Sequence, residues 1–329
     1  MHTVSSIFVL PEAAHTPVGA EVYAGLTSRP KTLSPWLFYD AEGSRLFEQI
    51  TDLPEYYPTR TERGIFAANA DEILAAALED RPTQRIMMLE LGAGTASKTG
   101  LLLRAAVRRQ ESVDYQAIDV SESALAEAQE RIEAEIPGVN VIPCISDYTN
   151  GFDEVPANGC RRMVLYIGSS IGNFEPSDAV QVLRTVRQRL VPGDCLLLGV
   201  DRVKERSTLI RAYDDEAGVT AAFNMNVLTR INRDLGANFN PRLFRHRARW
   251  NNEQSRIEMH LESLIAQQVS IPSLELEVRF TRGETIHTEN SYKYTEQRVH
   301  ELVARAGFEV RRTWTDEREW FGVYLASAV

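Results

Sequence analysis

Apolar residues change their spacing several times along this chain, and each change marks an element. Mainly apolar runs at Ile86–Leu91, Val139–Cys144, Met163–Ile167 and Cys195–Val200, interrupted only by Glu90 and Asn140, have the length of buried strands. Ser112–Val120 reads as a further strand, and helical segments lie between: Ser97–Arg108, Ala124–Ala134 led by Ser121, and Asp178–Leu190. In the last of these Val180, Val182, Leu183 and Val186 form the apolar stripe and Ser177 is the expected N-cap. A helical pattern also begins at Thr61 and runs through Glu72–Leu78. Strands alternating with helices predict an α/β fold with a doubly wound, mostly parallel sheet. A helix at Thr295–Ala306, closed by Gly307, precedes strands Phe308–Thr313 and Trp320–Ala326, which would finish that sheet as an antiparallel hairpin.

The rhythm breaks after Asp201. Leu209–Leu235 is helical and loop-like, with Asn224, Asn226 and Asn232 in it. Arg256–Leu264 alternates Ile257, Met259 and Leu261 against Glu258, His260 and Glu262, and Leu274–Phe280 is a second strand candidate. Residues 1–60 mix Pro30, Pro35, Pro54 and Pro58 with Trp36, Phe38, Tyr39, Phe47, Tyr56 and Tyr57, which predicts irregular structure covering something. The expected division is a core of 61–202 plus 293–329 and a second, α+β domain of 1–60 plus 203–292.

Composition narrows the partners. The 329 residues are 43% hydrophobic, enough for a sizeable core, and the net charge of -10 disfavours a polyanion, so no nucleic-acid partner is expected. Ser5–Leu10 is too short and lacks the basic flank of a signal peptide, and no run approaches a membrane span, so a cytoplasmic protein without a membrane partner is expected. Cys144, Cys160 and Cys195 lack metal or redox spacing and read as buried free thiols. His2, His15, His246, His260, His287 and His300 also lack ligand spacing, so they read as surface or capped histidines and no metal is expected.

Candidate chemistry concentrates at the predicted strand ends. Glu90-Leu91-Gly92-Ala93-Gly94 turns the first strand into a helix, the corner where backbone N–H groups and a helix dipole can cradle a phosphate or carboxylate. Ser97 stands where a dinucleotide fingerprint needs its third glycine, which weighs against a nicotinamide-dependent dehydrogenase. Asp119 closes the second strand, where a carboxylate can accept two ribose hydroxyls, and Asp147-Tyr148 follows the third, where a carboxylate and a ring can hold an adenine. Asp119 can alternatively cap a helix, although Ser121 already fills that role, and Asp147-Tyr148 can simply be a turn. Together this arrangement resembles class I S-adenosylmethionine-dependent methyltransferases, in which Lys98 would suit the methionine carboxylate. Lys98 can equally be a solvated helix lysine.

A more specific resemblance rests on Phe38-Tyr39-Asp40, Leu53-Pro54-Glu55-Tyr56-Tyr57-Pro58-Thr59-Arg60-Thr61-Glu62, Gly168-Ser169-Ser170-Ile171-Gly172-Asn173-Phe174, Tyr213-Asp214-Asp215 and Glu289-Asn290-Ser291-Tyr292-Lys293-Tyr294. With these blocks the chain resembles the histidine-specific Nα-methyltransferases of ergothioneine biosynthesis, which convert L-histidine to hercynine. The resemblance implies S-adenosylmethionine as cosubstrate, bound at Tyr39, Gly92, Gly94, Lys98, Asp119, Asp147 and Tyr148. It also implies that Asn173 and Tyr213 hold the substrate carboxylate and amine, that Gly168 and Ser170 approach the amine, and that Tyr39 sits beside the methylated nitrogen. Glu289 and Ser291 would read the imidazole; residues two apart in an extended segment share a face, and a carboxylate with a hydroxyl can serve both ring nitrogens. Met259 and Tyr56 would line the pocket or fill core. The expected protein is a monomeric enzyme that trimethylates L-histidine. The competing readings are methylation of tryptophan or tyrosine, which Glu289 disfavours, a dehydrogenase, and a non-catalytic cofactor-sensing module.

Overall fold

The computed structural model describes residues 11–96, 98–149, 151 and 159–329. Ser5–Leu10, His2 and Ser97 lie outside the described residues. The chain separates into two compact units: residues up to Tyr56 with Glu205–Ser291, and Tyr57–Lys204 with Tyr292–Val329.

The second of these units is built on a seven-stranded sheet. Its strands run, edge to edge, Phe308–Thr315, Phe321–Ala328, Cys195–Asp201, Arg161–Tyr166, Ile86–Leu91, Val113–Asp119 and Val139–Ile145. Five are parallel, and Phe321–Ala328 is antiparallel to both of its neighbours, so the sheet ends in the hairpin that the sequence predicts. Apolar runs without alternation form the central strands because both faces are covered. Met88, Met163, Leu165 and Leu197 pack with helices Tyr57–Ala77, Gly100–Gln110 and Glu122–Glu135, whereas Met87, Leu89, Val164 and Leu196 pack with Pro176–Arg187 and Glu296–Arg305.

The other unit carries a four-stranded sheet in the order Lys31–Thr32, Thr285–Tyr292, Arg256–Ser263, Phe244–Asn251, and a hairpin of Gln267–Ile271 with Leu276–Phe280. Helix Val219–Leu235 packs on two of those strands and on helix Ala41–Asp52. Residues 17–52 are therefore not irregular. Pro17 and Pro35 sit in first turns that need no N–H, Pro30 lies between elements, and Thr16 and Asp40 cap the helices Pro17–Thr27 and Ala41–Asp52. Pro58 likewise sits in the first turn of a helix that starts at Tyr57 rather than Thr61. Ser177 does not cap: the helix begins at Pro176 after Glu175, and the Ser177 hydroxyl turns to Asp178. Of the cysteines only Cys195 is buried; Cys144 and Cys160 are partly exposed. Among the described residues no helix is long and apolar enough to cross a membrane.

The first sheet strand ends on a buried acid. Glu90 Oε2 accepts from Thr99 Oγ1 at 2.6 Å and from the Tyr115 hydroxyl, tying the glycine turn to the start of helix Gly100–Gln110 and to the next strand. Burial pushes its carboxyl up to about 7, against those two donors. A carboxyl raised on folding contributes stability below its unfolded pKa and loses it as pH rises through the folded value. Replacing Glu90 by Gln should therefore leave a protein whose stability gains on the parent by about 2–3 kcal/mol between about pH 5 and about pH 9. Denaturant titrations of both proteins across that range would test this, and parallel curves would contradict it.

Candidate active site

The glycine turn uses its own amides. Gly92 and Ala93 donate to the Ile118 carbonyl at 2.9 and 3.0 Å, Gly94 donates to Asp119 Oδ2 at 2.9 Å, and Ala96 donates to Ala93. The amides of the turn itself are therefore spent, and any free N–H groups belong to the helix that follows it. Asp119 Oδ1 accepts from Ser121 N at 2.9 Å, and Ser121 itself caps helix Glu122–Glu135, so Asp119 is a turn organiser rather than the helix cap. Gly94 has φ +50°, which favours glycine, and a Cβ built there would meet nothing within 4 Å, so the space beside its backbone is open. A Cβ on Gly92 would lie 3.5 Å from the Tyr148 ring. Gly92, Gly94, Asp119 and Tyr148 are thus gathered at one edge of the sheet. Asp147 accepts from Thr149 N at 3.0 Å and Oγ1 at 2.6 Å, which forms the turn that presents Tyr148 edge-on to Tyr166.

Lys98 and Gly168 are joined by a residue to which the sequence reading gave no role. Glu62 is fully buried in helix Tyr57–Ala77; its carboxylate accepts from Gly168 N at 2.9 and 3.0 Å and from Lys98 Nζ at 2.6 Å. Its approach leaves no room for a side chain at Gly199, where a Cβ would fall 2.0 Å from Glu62 Oε1. Glu62 sits three and four residues before Ile65 and Phe66 on the apolar stripe of its helix, and a carboxylate in such a stripe was the legible signal.

The loop after strand Arg161–Tyr166 is held from beneath. Gly168 and Ser169 both have positive φ, +77° and +61°. Ser169 Oγ accepts from Asp201 N at 2.9 Å, and Ser170–Asn173 then form a single 3-10 turn. Ser170 Oγ reaches the Ile167 carbonyl at 3.4 Å, and Asn173 is partly exposed at the end of the turn. Asp201 is fully buried among Tyr57 Oη, at 2.8 and 2.9 Å, Lys293 Nζ, at 2.7 Å, and Lys204 Nζ. Burial would raise its carboxyl, but the Lys293 and Lys204 ammoniums hold it below the usual range. Burial also pulls the Lys204 ammonium down to about 8.

The remaining sequence-predicted residues lie in the other unit, and most of them form one chain of contacts. The Tyr213 hydroxyl, at the end of helix Arg206–Tyr213, meets Ser291 Oγ at 2.7 Å. Its ring stands edge-on to Tyr56 at 6.1 Å, Tyr56 meets Phe47, and Phe47 meets Tyr39, whose ring also packs on Phe223. Tyr39 remains 38% exposed, which leaves part of its ring for a ligand. Glu289 is buried two residues before Ser291 on strand Thr285–Tyr292, and its carbonyl accepts from His287 Nε2 at 3.0 Å. Met259 is buried on the adjacent strand, its carbonyl accepting from Thr288 Oγ1 at 3.0 Å. Of the histidines read as surface or capped, His260 and His287 stack at 4.7 Å, and His246, on a strand, caps the Tyr213 carbonyl of one helix and meets Asn224 of another.

The family described as "Histidine-specific methyltransferase, SAM-dependent" matches residues 18–328. The chain is 44% identical over 319 residues to histidine N-alpha-methyltransferase of Mycolicibacterium smegmatis, covering 97% of each chain. It is 43% identical to the protein of that name from Mycobacterium tuberculosis, covering 96% of each. Among solved structures it is similar to magnesium protoporphyrin IX methyltransferase of Synechocystis PCC 6803, at 13% identity and a TM-score of 0.46 over 89% of this chain and 97% of that one. The chain belongs to the S-adenosylmethionine-dependent, histidine-specific methyltransferase family.

Proposed function

We propose that this enzyme transfers methyl groups from S-adenosylmethionine to the α-amino nitrogen of L-histidine, three in succession, giving hercynine, the first step of ergothioneine biosynthesis. One observation carries the reading. A chain 44% identical over nearly its whole length to a named histidine N-alpha-methyltransferase buries a carboxylate, Glu289, two residues from the Ser291 hydroxyl on one strand.

The residues present fit the cosubstrate. The space beside the Gly94 backbone is open, Asp119 would offer carboxylate oxygens to ribose hydroxyls, Asp147 and Tyr148 would take the adenine amine and face, and Lys98 would meet the methionine carboxylate. Gly92 allows the close backbone approach, and Tyr39 would border the same ligand. When bound, S-adenosylmethionine supplies an electrophilic methyl group on a positively charged sulfur.

Asn173 and Tyr213 would hold the amino acid's carboxylate and amine, Gly168 and Ser170 would approach the amine, Glu289 and Ser291 would pair with the two imidazole nitrogens, and Met259 and Tyr56 would pack against the ring. These residues act by positioning, the main source of rate in a displacement between two bound reactants. The attacking amine must be neutral, and since a free α-amino group has a pKa of about 8, little base strength is needed: polar oxygens and water around Tyr39 would take the proton before the methyl is transferred. As methylation proceeds the nitrogen becomes permanently cationic, and the partly exposed Tyr39 ring offers it an aromatic face. The same reading has the enzyme acting as a cytoplasmic monomer on a small molecule, without metal, nucleic acid or membrane.

Mass spectrometry of reactions with each of the twenty amino acids and S-adenosylmethionine should show mono-, di- and trimethylated histidine in sequence. Turnover of tryptophan or tyrosine instead would move the acceptor, accumulation of monomethyl product alone would end the trimethylation claim, and calorimetric binding of NAD in place of S-adenosylmethionine would end the reading altogether. Glu289→Ala removes a charge-assisted partner of the imidazole. It should raise the KM for histidine at least about tenfold, with the Kd for S-adenosylmethionine unmoved. An unchanged KM would remove Glu289 from the imidazole site.

A further inference from the structure

Tyr213 is the last residue of its helix, so its carbonyl is one of the acceptors that a helix end leaves without an intrahelical donor. His246 fills that place from strand Phe244–Asn251, with Nε2 at 2.7 Å from the Tyr213 oxygen. The other ring nitrogen, Nδ1, lies 2.8 Å from Asn224 Nδ2. Asn224 is fully buried in helix Val219–Leu235; its Nδ2 also reaches the His260 carbonyl at 3.2 Å, and its Oδ1 accepts from Thr288 Oγ1 at 2.8 Å.

These partners leave one protonation state. The Tyr213 carbonyl can only accept, so Nε2 must carry a proton. The His260 carbonyl can only accept, so the Asn224 amide must point its NH2 that way, and the same NH2 faces His246 Nδ1. Nδ1 must then accept, and the imidazole must be neutral. A second ring proton would set N–H against N–H, and flipping the amide to relieve it would set oxygen against the His260 oxygen.

We infer that His246, held neutral by Asn224, is a positioning residue that fixes the end of the Tyr213 helix and with it the Tyr213 hydroxyl against Ser291, making histidine affinity sensitive to protonation of His246. The inference rests on the reading of Tyr213 as a substrate residue. Around this ring, Asp214 and Asp215 follow Tyr213 and favour the cationic form, with Asp215 already accepting from Val219 N and Thr220 N at 2.9 and 2.8 Å. On the strand itself Arg245 and Arg247 alternate with His246 and both pair with Glu262. Burial outweighs the aspartates and puts the His246 pKa below the usual histidine range. Affinity should accordingly be full at neutral pH and fall as pH drops through that lowered value. His260, on the adjacent strand, and His287, on the one beyond it, also titrate below the usual range because of burial, and the substrate's own ring titrates in its ordinary range.

Glutamine separates these contributions, because its amide can donate to the Tyr213 carbonyl and accept from Asn224 without titrating. The test measures the histidine Kd by calorimetry from about pH 8 to about pH 5 for the parent, His246→Gln and His246→Leu, with the S-adenosylmethionine Kd and Tm alongside. At neutral pH His246→Leu should weaken histidine binding about tenfold while changing S-adenosylmethionine binding less than about twofold, and His246→Gln should stay within about threefold of the parent. The parent's Kd should then climb relative to that of His246→Gln as the pH falls. Coincident pH curves, or full histidine affinity in His246→Leu, would overturn the inference. If His246→Leu does not fold, the pH comparison with His246→Gln decides alone. Tyr213→Phe reports on the underlying reading: full affinity there removes Tyr213 from the substrate site, whereas a loss there with an unaffected His246→Leu defeats only the positioning role.

Discussion

One buried carboxylate, Asp201, fixes the places where the chain enters and leaves the sheet unit. Its partners are Tyr57, the first residue of that unit, Lys204, the last before the chain departs, and Lys293, one residue after it returns. An isolated charge with no solvent would cost several kcal/mol, so the four side chains are stable only together. Closure of the cluster therefore sets the register of three chain crossings at once. It also reaches the putting-together of the loop above, because the Asp201 amide donates to Ser169, whose left-handed backbone starts the turn that ends at Asn173.

Glu62 repeats the device one helical turn or so further along the same helix. Its carboxylate takes the Gly168 amide and the Lys98 ammonium, so the loop after one strand and the turn after another are set by one side chain. Removing either partner would strand a buried charge, and this is why two flexible, glycine-containing segments keep a defined geometry. The positive φ of Gly168 and Ser169 is sustained by these bonds rather than by local preference.

Local chemistry was legible in the sequence and long-range pairing was not. Runs such as Ile86–Leu91 and Cys195–Val200 announced buried strands because they are almost wholly apolar, Glu90 being the one charged residue in the first, and Ser121 announced its cap by position. Helices in residues 17–52 were hidden because their prolines look like breakers unless they occupy a first turn. Strand Phe244–Asn251 was hidden because its inward positions include His246 and Ala248 and its outward ones three arginines, a weak alternation by hydrophobicity. Tyr39, Tyr56, Tyr213, Ser291 and Glu289 could be named from motifs, and the structure links the first four through ring and hydroxyl contacts. Glu62 closes the Leu53–Glu62 block without a role being legible there, and Asn224 and His246 had no motif to give them away. Each works through partners far along the chain, so only folding makes its role visible.

The turn at Gly92–Gly94 bears on ligand charge more than the motif alone suggests. A pyrophosphate-binding corner needs amides aimed outward, yet the Gly92, Ala93 and Gly94 amides are spent on Ile118 and Asp119. Of the carboxyls near the strand ends, Glu62 is paired with Lys98 and Glu90 is pushed up to about 7 by burial, which leaves Asp119 as the acid of the turn, while the Arg131 guanidinium reaches the Thr95 carbonyl. On the proposed reading such a corner serves ribose hydroxyls, for which Asp119 keeps acceptor capacity, better than a pyrophosphate dianion. The spent amides therefore point the same way as Ser97 in place of the third glycine, away from a dinucleotide.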